Sequence, residues 1–542
     1  MTRPDRTVAG ALLDLVADWG VNRLFTCPGS TEAAVLDAMV DRDDLDLVLT
    51  THEGVTVSMA DGLARATGAP SLAYLHANVG LSNGLANLYA AQLAYSPVVV
   101  LNGLKPATIQ ARSGFTTARR TRDLVGQFVK DDWQSLTSDT VVEDVNRAFT
   151  LAVAEPAGPV WVGLSQDLLD RPADAPQPNV SAHRVDTRVA PSRAALDSAA
   201  RLLRQAQAPV LIAGSEVGRA GAVPAMVALA QRLGAPVFME ERRSFERPGF
   251  PTGHPNYRGD YDVNHPLVQQ ADVLFFVGGR VFHEFEPAKR PSLPPGATVV
   301  HSHPDAQQIG RIYGVDAGLV GDPRLVLEAL AELLGVDADR PAPPPVPAAE
   351  VPPADPDARY LRPVDAVLAV TEALSGSTLV GDVTTAGGLL QRYADKPTGE
   401  SFFVSSSGSL GWGMGAALGV QLGQPGRHVA AILGDGVFQF GVPALWTAAY
   451  YRIPVTFVVL NNQRYAAVGA ALRRFGGRAV QTHEYPGTDL AGPRIAEVST
   501  GFGVPGVRVT GLADLRDELR SARSADGPAL IEVMTDPDDF GP

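Results

Sequence analysis

Apolar and polar positions change period repeatedly along the chain. Short apolar runs rich in β-branched residues end in Gly, Asn, Asp or Ser, and between them lie Ala/Leu-rich stretches with apolar residues at helical spacing. In the first third, Arg23 to Thr26, Leu45 to Thr50, Ser71 to Leu75 and Pro97 to Leu101 read as strands. Helical patterns over Ala11 to Trp19, Glu32 to Met39, Gly54 to Thr67 and Leu81 to Leu93 separate them. Strands alternating with helices predict a doubly wound parallel sheet. The pattern returns at Val210 to Ala213, Pro236 to Met239, Asp272 to Val277 and Thr298 to His301. It returns again at Thr378 to Val380, Phe402 to Val404, Val429 to Leu433, Pro454 to Leu460 and Ala529 to Met534. The predicted fold class is α/β with three doubly wound parallel-sheet domains, over residues 1–178, 190–338 and 359–542. Residues 339–358 contain PAPPPVPAAEVPPADP, too poor in large apolar residues to pack, and read as a Pro-rich linker.

Parallel sheets place their ligands at the carboxyl ends of strands. The stretch AAILGDGVFQFGVPALWTAAYYRIPVTFVVLNNQRY, Ala430 to Tyr465, predicts a strand, a Gly434-Asp435-Gly436 turn, a helix over about residues 442–451, and a second strand ending in Asn461-Asn462. Asp435 leaves one strand end and Asn462 the next, so a carboxylate and an amide oxygen would stand together beside glycines that let backbone N–H groups approach an anion. Two such oxygens do not cage a metal, but Mg²⁺ completes its octahedron with phosphate and water, so the pattern suits a metal-held diphosphate. The plainer reading is a helix-capping Asp and a chain-turning Asn pair.

Ser30, Glu53 and His76 also fall just past predicted strand ends. Glu53 stands between an apolar strand and an Ala/Gly-rich helix, a setting that would desolvate it and favour a hydrogen bond to a basic ring nitrogen; alternatively it only favours the first helical turn. Histidine suits proton transfer near neutral pH, although His76 alone reads equally as a satisfied strand-end residue, and Ser30 as a helix N-cap. His283 follows a buried strand and Gly278-Gly279 and can project from a loop into a neighbouring site, or not. Gly214 to Gly221 resembles a dinucleotide loop with the wrong spacing, so the middle unit reads as structural, with FAD as an alternative that is not predicted. Gln463 to Pro493 reads as a long irregular segment, either a lid or a surface insertion.

Composition narrows the class. A formal net charge of −14 argues against a nucleic-acid surface. Cys27 is the single cysteine, which rules out an intrachain disulfide or a cysteine-cluster metal site. No apolar run reaches the ~18 residues of a membrane span, and MTRPDRTVAG lacks an apolar signal core, so a cytoplasmic location is expected. Lysine is confined to Lys105, Lys130, Lys289 and Lys396, a bias to which we attach no functional weight at this level.

Gly-Asp-Gly followed about two dozen residues later by Asn-Asn resembles the metal-diphosphate signature of thiamine diphosphate-dependent enzymes. HEGVTVSMADGLARATG, starting at His52, is similar to the segment that carries the family's glutamate for the cofactor aminopyrimidine. The resemblance extends over nearly the whole chain and implies pyrimidine-binding, middle and diphosphate-binding domains in that order. It implies Asp435, Asn462 and the carbonyl of Arg464 as Mg²⁺ ligands, with Gly434, Gly436 and Val437 along the diphosphate. Glu53 would contact N1′ and promote C2 deprotonation to the ylide, the carbonyl of Gly408 would accept from the 4′-amino group, and Leu410 would be the apolar wedge that bends the cofactor. In the family these halves face each other across two subunits, so a homodimer or homotetramer is implied.

VNRLFTCPGSTE, LHANVGLSNGLANL, GSLGWGMGAALGVQLGQP and YPGTDLAGPRIAEVSTGFGV are similar to the benzoylformate decarboxylase branch. That branch implies non-oxidative decarboxylation of a 2-oxo acid through an enamine, with Ser30 for the substrate carboxylate, His76 for protonating intermediates and His283 as a second histidine. Cys27, Ala77, Gln463-Arg464 and extra residues near Arg473 and Gly492 depart from its pattern and leave the substrate open. An acetolactate synthase-like carboligase, in which an aldehyde or second oxo acid accepts the enamine, is the alternative. A non-catalytic scaffold is disfavoured by the joint presence of Glu53, Asp435 and Asn462.

Overall fold

The computed structural model describes residues 6–40, 42–283, 292–335 and 358–539, with residues 341, 344 and 351 between the last two stretches. Most of the linker predicted at residues 339–358, and Glu284 to Pro287 of the His283 loop, lie outside the described residues. Three six-stranded sheets, parallel throughout, follow one another along the chain. The first holds β1 (Arg23–Cys27), β2 (Asp46–Leu49), β3 (Ser71–His76), β4 (Val98–Leu104), β5 (Asp131–Gln134) and β6 (Val160–Ser165) in the order β2-β1-β3-β4-β6-β5. The second holds β7 (Pro209–Ala213), β8 (Val237–Met239), β9 (Tyr257–Asp260), β10 (Val273–Val277), β11 (Thr298–His303) and β12 (Ala317–Val320), ordered β12-β11-β10-β7-β8-β9. The third holds β13 (Thr378–Asp382), β14 (Phe402–Val404), β15 (Val429–Gly434), β16 (Val455–Asn461), β17 (Gly506–Val509) and β18 (Ala529–Met534), ordered β14-β13-β15-β16-β18-β17. The first and third sheets therefore share one winding, with strand order reversing between β1 and β3 and between β13 and β15.

Several elements differ from the sequence expectation. The strands β5, β9, β12 and β17 are sheet edges, where one side is open and no continuous apolar run is needed, so the hydrophobic pattern did not announce them. The expected Gly434-Asp435-Gly436 turn is absent: a helix, Asp435–Gly441, starts straight from β15 with Gly434 as its N-cap, and a second helix, Ala444–Tyr450, follows. Likewise the helix after His76 begins at Ala77 rather than Leu81. The segment 463–493 is not irregular either; it contains the helices Ala466–Phe475 and Arg478–Thr482. Its base is pinned by an antiparallel bridge between Arg464 and Asp489 and by Leu490 N–H donating to Gln463 O at 2.9 Å.

The outer domains are joined by two helices poor in side-chain bulk. Glu53–Thr67 packs along Trp412–Gly423, where a Cβ on Gly62 would collide with Ala416 O, one on Gly415 with Ser58 Oγ, and one on Gly419 with Met59 O. The two backbones touch, and the contact feeds a single apolar core running from Phe25 and Trp161 to Phe403 and Val455. A buried polar girdle locks it: Trp412 Nε1 donates to Asp61 Oδ2 at 2.7 Å, and Arg65 pairs with Asp61 at 2.9 Å and with Glu246 of the middle domain at 2.6 Å. Arg65 also donates to Val404 O at 2.7 Å, so one side chain touches all three domains. Among the described residues no helix is long and apolar enough to cross a membrane.

Candidate active site

The carboxyl edge of the first sheet gathers the residues expected there. Adjacent strands β2, β1, β3 and β4 end beside Glu53, Cys27 and Ser30, His76, and Lys105 respectively, and strand order reverses within this row. Glu53 opens its helix, and its Oε2 accepts from Asn83 Nδ2 at 3.0 Å. It is half-buried, not enclosed as expected, because it stands in the first helical turn, ahead of the fully packed stretch from Gly54 to Arg65. His76 Nδ1 lies 2.9 Å from Glu32 Oε2 and 2.8 Å from Thr31 Oγ1. Glu32 is fully buried and also accepts from Gly29 N–H at 2.7 Å, which holds its carboxylate in place. Room for this cluster comes from Gly29, where a Cβ would lie 2.5 Å from the imidazole, and from Gly103, where one would strike Glu32. Ser30 is exposed and accepts from Lys105 Nζ at 3.0 Å. Burial, then the nearby Glu53 and Glu32, push the Cys27 thiol up to about 11, which leaves it protonated and unreactive.

At the corresponding edge of the third sheet, β15 and β16 run in register, Gly434 beside Leu460, so Asp435 and Asn462 leave neighbouring strand ends. Burial pushes the Asp435 carboxyl up to about 6, opposed by backbone N–H groups of Gly436, Gln463 and Arg464. Its Oδ1 accepts from Gly436 N–H at 2.8 Å, while its Oδ2 is buried with no hydrogen-bond partner. An orphaned buried carboxylate oxygen fits a cation. Asn462 is buried, with Oδ1 accepting from Arg464 N–H at 3.1 Å, and Gln463 beside it takes φ +58°, a conformation that non-glycine residues hold only where the surroundings impose it. Among the described residues no group of three or more His, Cys, Asp or Glu could hold a metal, so any cation here relies on amide, carbonyl and ligand oxygens. Those donors and the first-turn residues Gly434, Gly436 and Val437 suit a Mg²⁺-diphosphate. Gly436 also admits the Tyr465 ring, which a Cβ would meet at 2.6 Å.

Gly408 at φ +71° and Gly411 at φ +86° shape the loop that leads into the Trp412 helix. Gly408, Leu410, Asp382 and His283 line one cavity of about 490 Å³. Burial pushes Asp382 up to about 6, and it accepts from Gly413 N–H at 2.9 Å. His283 is held at Nδ1, 3.2 Å from Arg243 O; burial and then Arg280 push its imidazole below the ordinary value. Sequence reasoning missed Glu32, Asp382 and Lys105. For Asp382 the signal was present, a polar residue closing an apolar run; for Glu32 and Lys105 only the strand order reveals it.

The two halves do not meet in one chain. Among the described residues no hydrogen bond or ion pair joins Glu53, Ser30 or His76 to Asp435, Asn462 or Leu410, and the cavity at Gly408 and Leu410 includes none of the first three. They are linked through their flanks, where Ser409 Oγ donates to Asn87 Oδ1 at 2.6 Å, Asn87 Nδ2 to Gly54 O at 2.7 Å and Thr51 Oγ1 to Pro443 O at 3.3 Å. The middle sheet has the dinucleotide-fold strand order, but the place where its order reverses is closed: a Cβ on Gly214 would collide with Gly278 and Gly279, and buried Glu216 and Glu240 line it. Burial pushes Glu240 up to about 8, and two acids there do not fit a nucleotide's phosphates.

Comparison with known proteins agrees with this architecture. The N-terminal thiamine pyrophosphate-binding domain of thiamine pyrophosphate enzymes matches residues 6–123, the central domain 196–330 and the C-terminal binding domain 382–533. Benzoylformate decarboxylase of Pseudomonas aeruginosa is 33% identical over 98% of this chain and 99% of its own. An acetolactate synthase large subunit of Parasynechococcus marenigrum is 28% identical over 97% of this chain and 87% of its own. Among solved structures, the thiamine diphosphate-dependent 4-hydroxybenzoylformate decarboxylase of Rhodococcus jostii is 30% identical, with a TM-score of 0.89 over 98% of this chain and 100% of its own. Benzoylformate decarboxylase from Polynucleobacter necessarius gives 27% and 0.90 over 98% and 99%. The chain thus belongs to the thiamine pyrophosphate enzyme family, among its thiamine diphosphate-dependent 2-oxo acid decarboxylases and carboligases.

Proposed function

We propose that this enzyme decarboxylates a 2-oxo acid without oxidation, in the manner of benzoylformate decarboxylase, as a cytoplasmic homodimer or dimer of dimers. The observation that carries the reading is the pairing of two half-sites: His76 braced on buried Glu32 beside Glu53 at one sheet edge, and Asp435 with an unpartnered oxygen beside Asn462 at the other. Bound thiamine diphosphate supplies the nucleophilic carbon and electron sink that release CO₂ from a 2-oxo acid. Asp435, Asn462 and the carbonyl of Arg464 would hold Mg²⁺, Gly434, Gly436 and Val437 would border the diphosphate, the Gly408 carbonyl would accept from the pyrimidine amine, and Leu410 would give the cofactor apolar support.

Glu53 holds a proton at the pyrimidine ring nitrogen. Ser30 orients the substrate carboxylate, His76 delivers the proton that replaces CO₂, and His283, neutral near pH 7, is a second proton carrier. With Nδ1–H given to Glu32, His76 keeps Nε2 for the substrate. The alternative, ligation to an acceptor carbonyl, is supported by the acetolactate synthase relatives. The deciding experiment measures CO₂ release by the purified holoenzyme from aromatic and aliphatic 2-oxo acids, with and without an acceptor aldehyde. Free aldehyde as main product is expected; hydroxyketone only in the presence of acceptor supports the alternative, and no CO₂ from any acid rejects both.

A further inference from the structure

Lys105 has a place that composition alone could not reveal. It follows β4, one strand beyond His76, and its side chain reaches back across the end of β3 to Ser30, with Nζ donating to Oγ at 3.0 Å. Its backbone is anchored, since Gln110 Nε2 donates both to Lys105 O and to Ser165 Oγ at the end of β6. Among the described residues no carboxylate lies within ion-pair distance of Nζ. Glu32, an acid of the same row, is fully buried and already occupied by His76, Thr31 and Gly29. A fixed and unneutralised ammonium therefore stands beside the serine expected to meet the substrate.

The ammonium does not suit the carboxylate that departs. When CO₂ leaves, the C–C bond breaks, its electron pair stays with the former carbonyl carbon, and a proton takes the vacated position. The carboxylate's negative charge fades as that bond breaks. A cation paired with it holds the ground state more tightly than the transition state and slows the step. An ammonium assists only an anion whose charge persists through the reaction.

We infer that Lys105 is a specificity-determining residue that binds a second, non-reacting carboxylate of the substrate, so that the preferred 2-oxo acids are diacids. The inference rests on the decarboxylase reading above and deepens it. Ser30 then serves both groups, accepting from Lys105 and donating its own hydroxyl hydrogen to the reacting carboxylate.

The test compares wild type, Lys105→Gln and Lys105→Arg as holoenzymes, by two independent readouts. Calorimetric binding uses unreactive benzoate and benzene-1,4-dicarboxylate; decarboxylation uses benzoylformate and its 4-carboxy derivative, with 2-oxopentanoate and 2-oxoglutarate as the aliphatic pair. A charge-assisted contact predicts that wild type favours the diacid of each pair by about 10-fold or more, in both Kd and kcat/KM. Lys105→Gln should abolish that preference, costing the diacid of each pair at least about 10-fold more than its monoacid, and Lys105→Arg should retain most of it. Three results overturn the inference: no diacid preference in wild type, equal losses for monoacid and diacid in Lys105→Gln, or a charge preference confined to an anionic acceptor. If no 2-oxo acid loses CO₂, the decarboxylase reading fails, while the binding pair still decides whether Lys105 selects a second charge.

Discussion

Nδ1 of His76 stands 2.9 Å from Oε2 of Glu32, a carboxylate with no solvent exposure at all. A buried acid bonded to one imidazole nitrogen fixes the tautomer and the ring plane, leaving the other nitrogen to work. Glu32→Gln keeps the shape and removes the charge. We expect kcat to fall about 10- to 100-fold with KM changed much less, and the acid limb of the pH–rate profile to move. Steady-state kinetics across pH 5–9 check this; an unchanged profile would mean that Glu32 only packs.

Glu53 is half-buried against Gly80, with Asn83 as its hydrogen-bond partner. Glu53→Gln should therefore leave the melting temperature within about 2 °C of wild type while lowering turnover by at least about 100-fold. Calorimetry and CO₂ release on the same preparation separate the two effects. A mutant that turns over normally refutes the role assigned to Glu53.

Burial holds the Asp435 carboxyl at about 6, above its ordinary value of 3.8. In the cofactor-free protein the protonated form is the one favoured by folding. This group's contribution to stability is fully present below about pH 3.8 and is lost as pH rises through about 6. A cation needs the deprotonated form, so retention of Mg²⁺ and diphosphate should weaken by about 10-fold per pH unit below pH 6. Asp435→Asn should flatten the pH dependence of apo stability in this window and abolish metal-dependent retention of thiamine diphosphate. Thermal melts of apo protein and calorimetric titrations of cofactor with and without a chelator are the measurements. Cofactor affinity that ignores the chelator would dismiss the metal assignment.

The Glu53–Thr67 and Trp412–Gly423 helices touch through backbone, and a methyl group on Gly419 would meet Met59 O, which cannot rotate away. Gly419→Ala should destabilise the fold by about 2–3 kcal/mol despite the better helix propensity of alanine. Denaturant unfolding would show a lower midpoint. A stabilised variant would mean that the helices separate more easily than their contact suggests.

Strand-and-helix alternation made the three α/β units legible, because buried parallel strands such as Val429–Gly434 and Val455–Asn461 are continuous apolar runs. The same signal was present at Val160–Ser165, VWVGLS, and went unread. Edge strands such as Asp131–Gln134 and Tyr257–Asp260 stayed hidden since half their surface needs no apolar cover. The candidate site residues Asp435 and Asn462 follow a short-range pattern, so their placement at neighbouring strand ends could be expected from spacing. Glu32 and Lys105 could not, for their meaning comes from which strands lie side by side: Glu32 meets His76 over a separation of 44 residues and Lys105 meets Ser30 over 75. The buried Asp61–Arg65–Glu246 girdle was illegible for the same reason, since Arg65 and Glu246 lie 181 positions apart.

In the proposed dimer each polypeptide would offer one half of two different catalytic centres and complete neither, since no hydrogen bond joins Glu53 to Asp435 among the described residues. Damage to either half is therefore recessive in a mixed population. Refolding Glu53→Gln chains with equal amounts of Asp435→Asn chains gives hybrids in which one centre inherits both lesions and the other inherits none. Random pairing makes half of all dimers hybrid, so two inactive preparations, once mixed, should recover about a quarter of the wild-type rate.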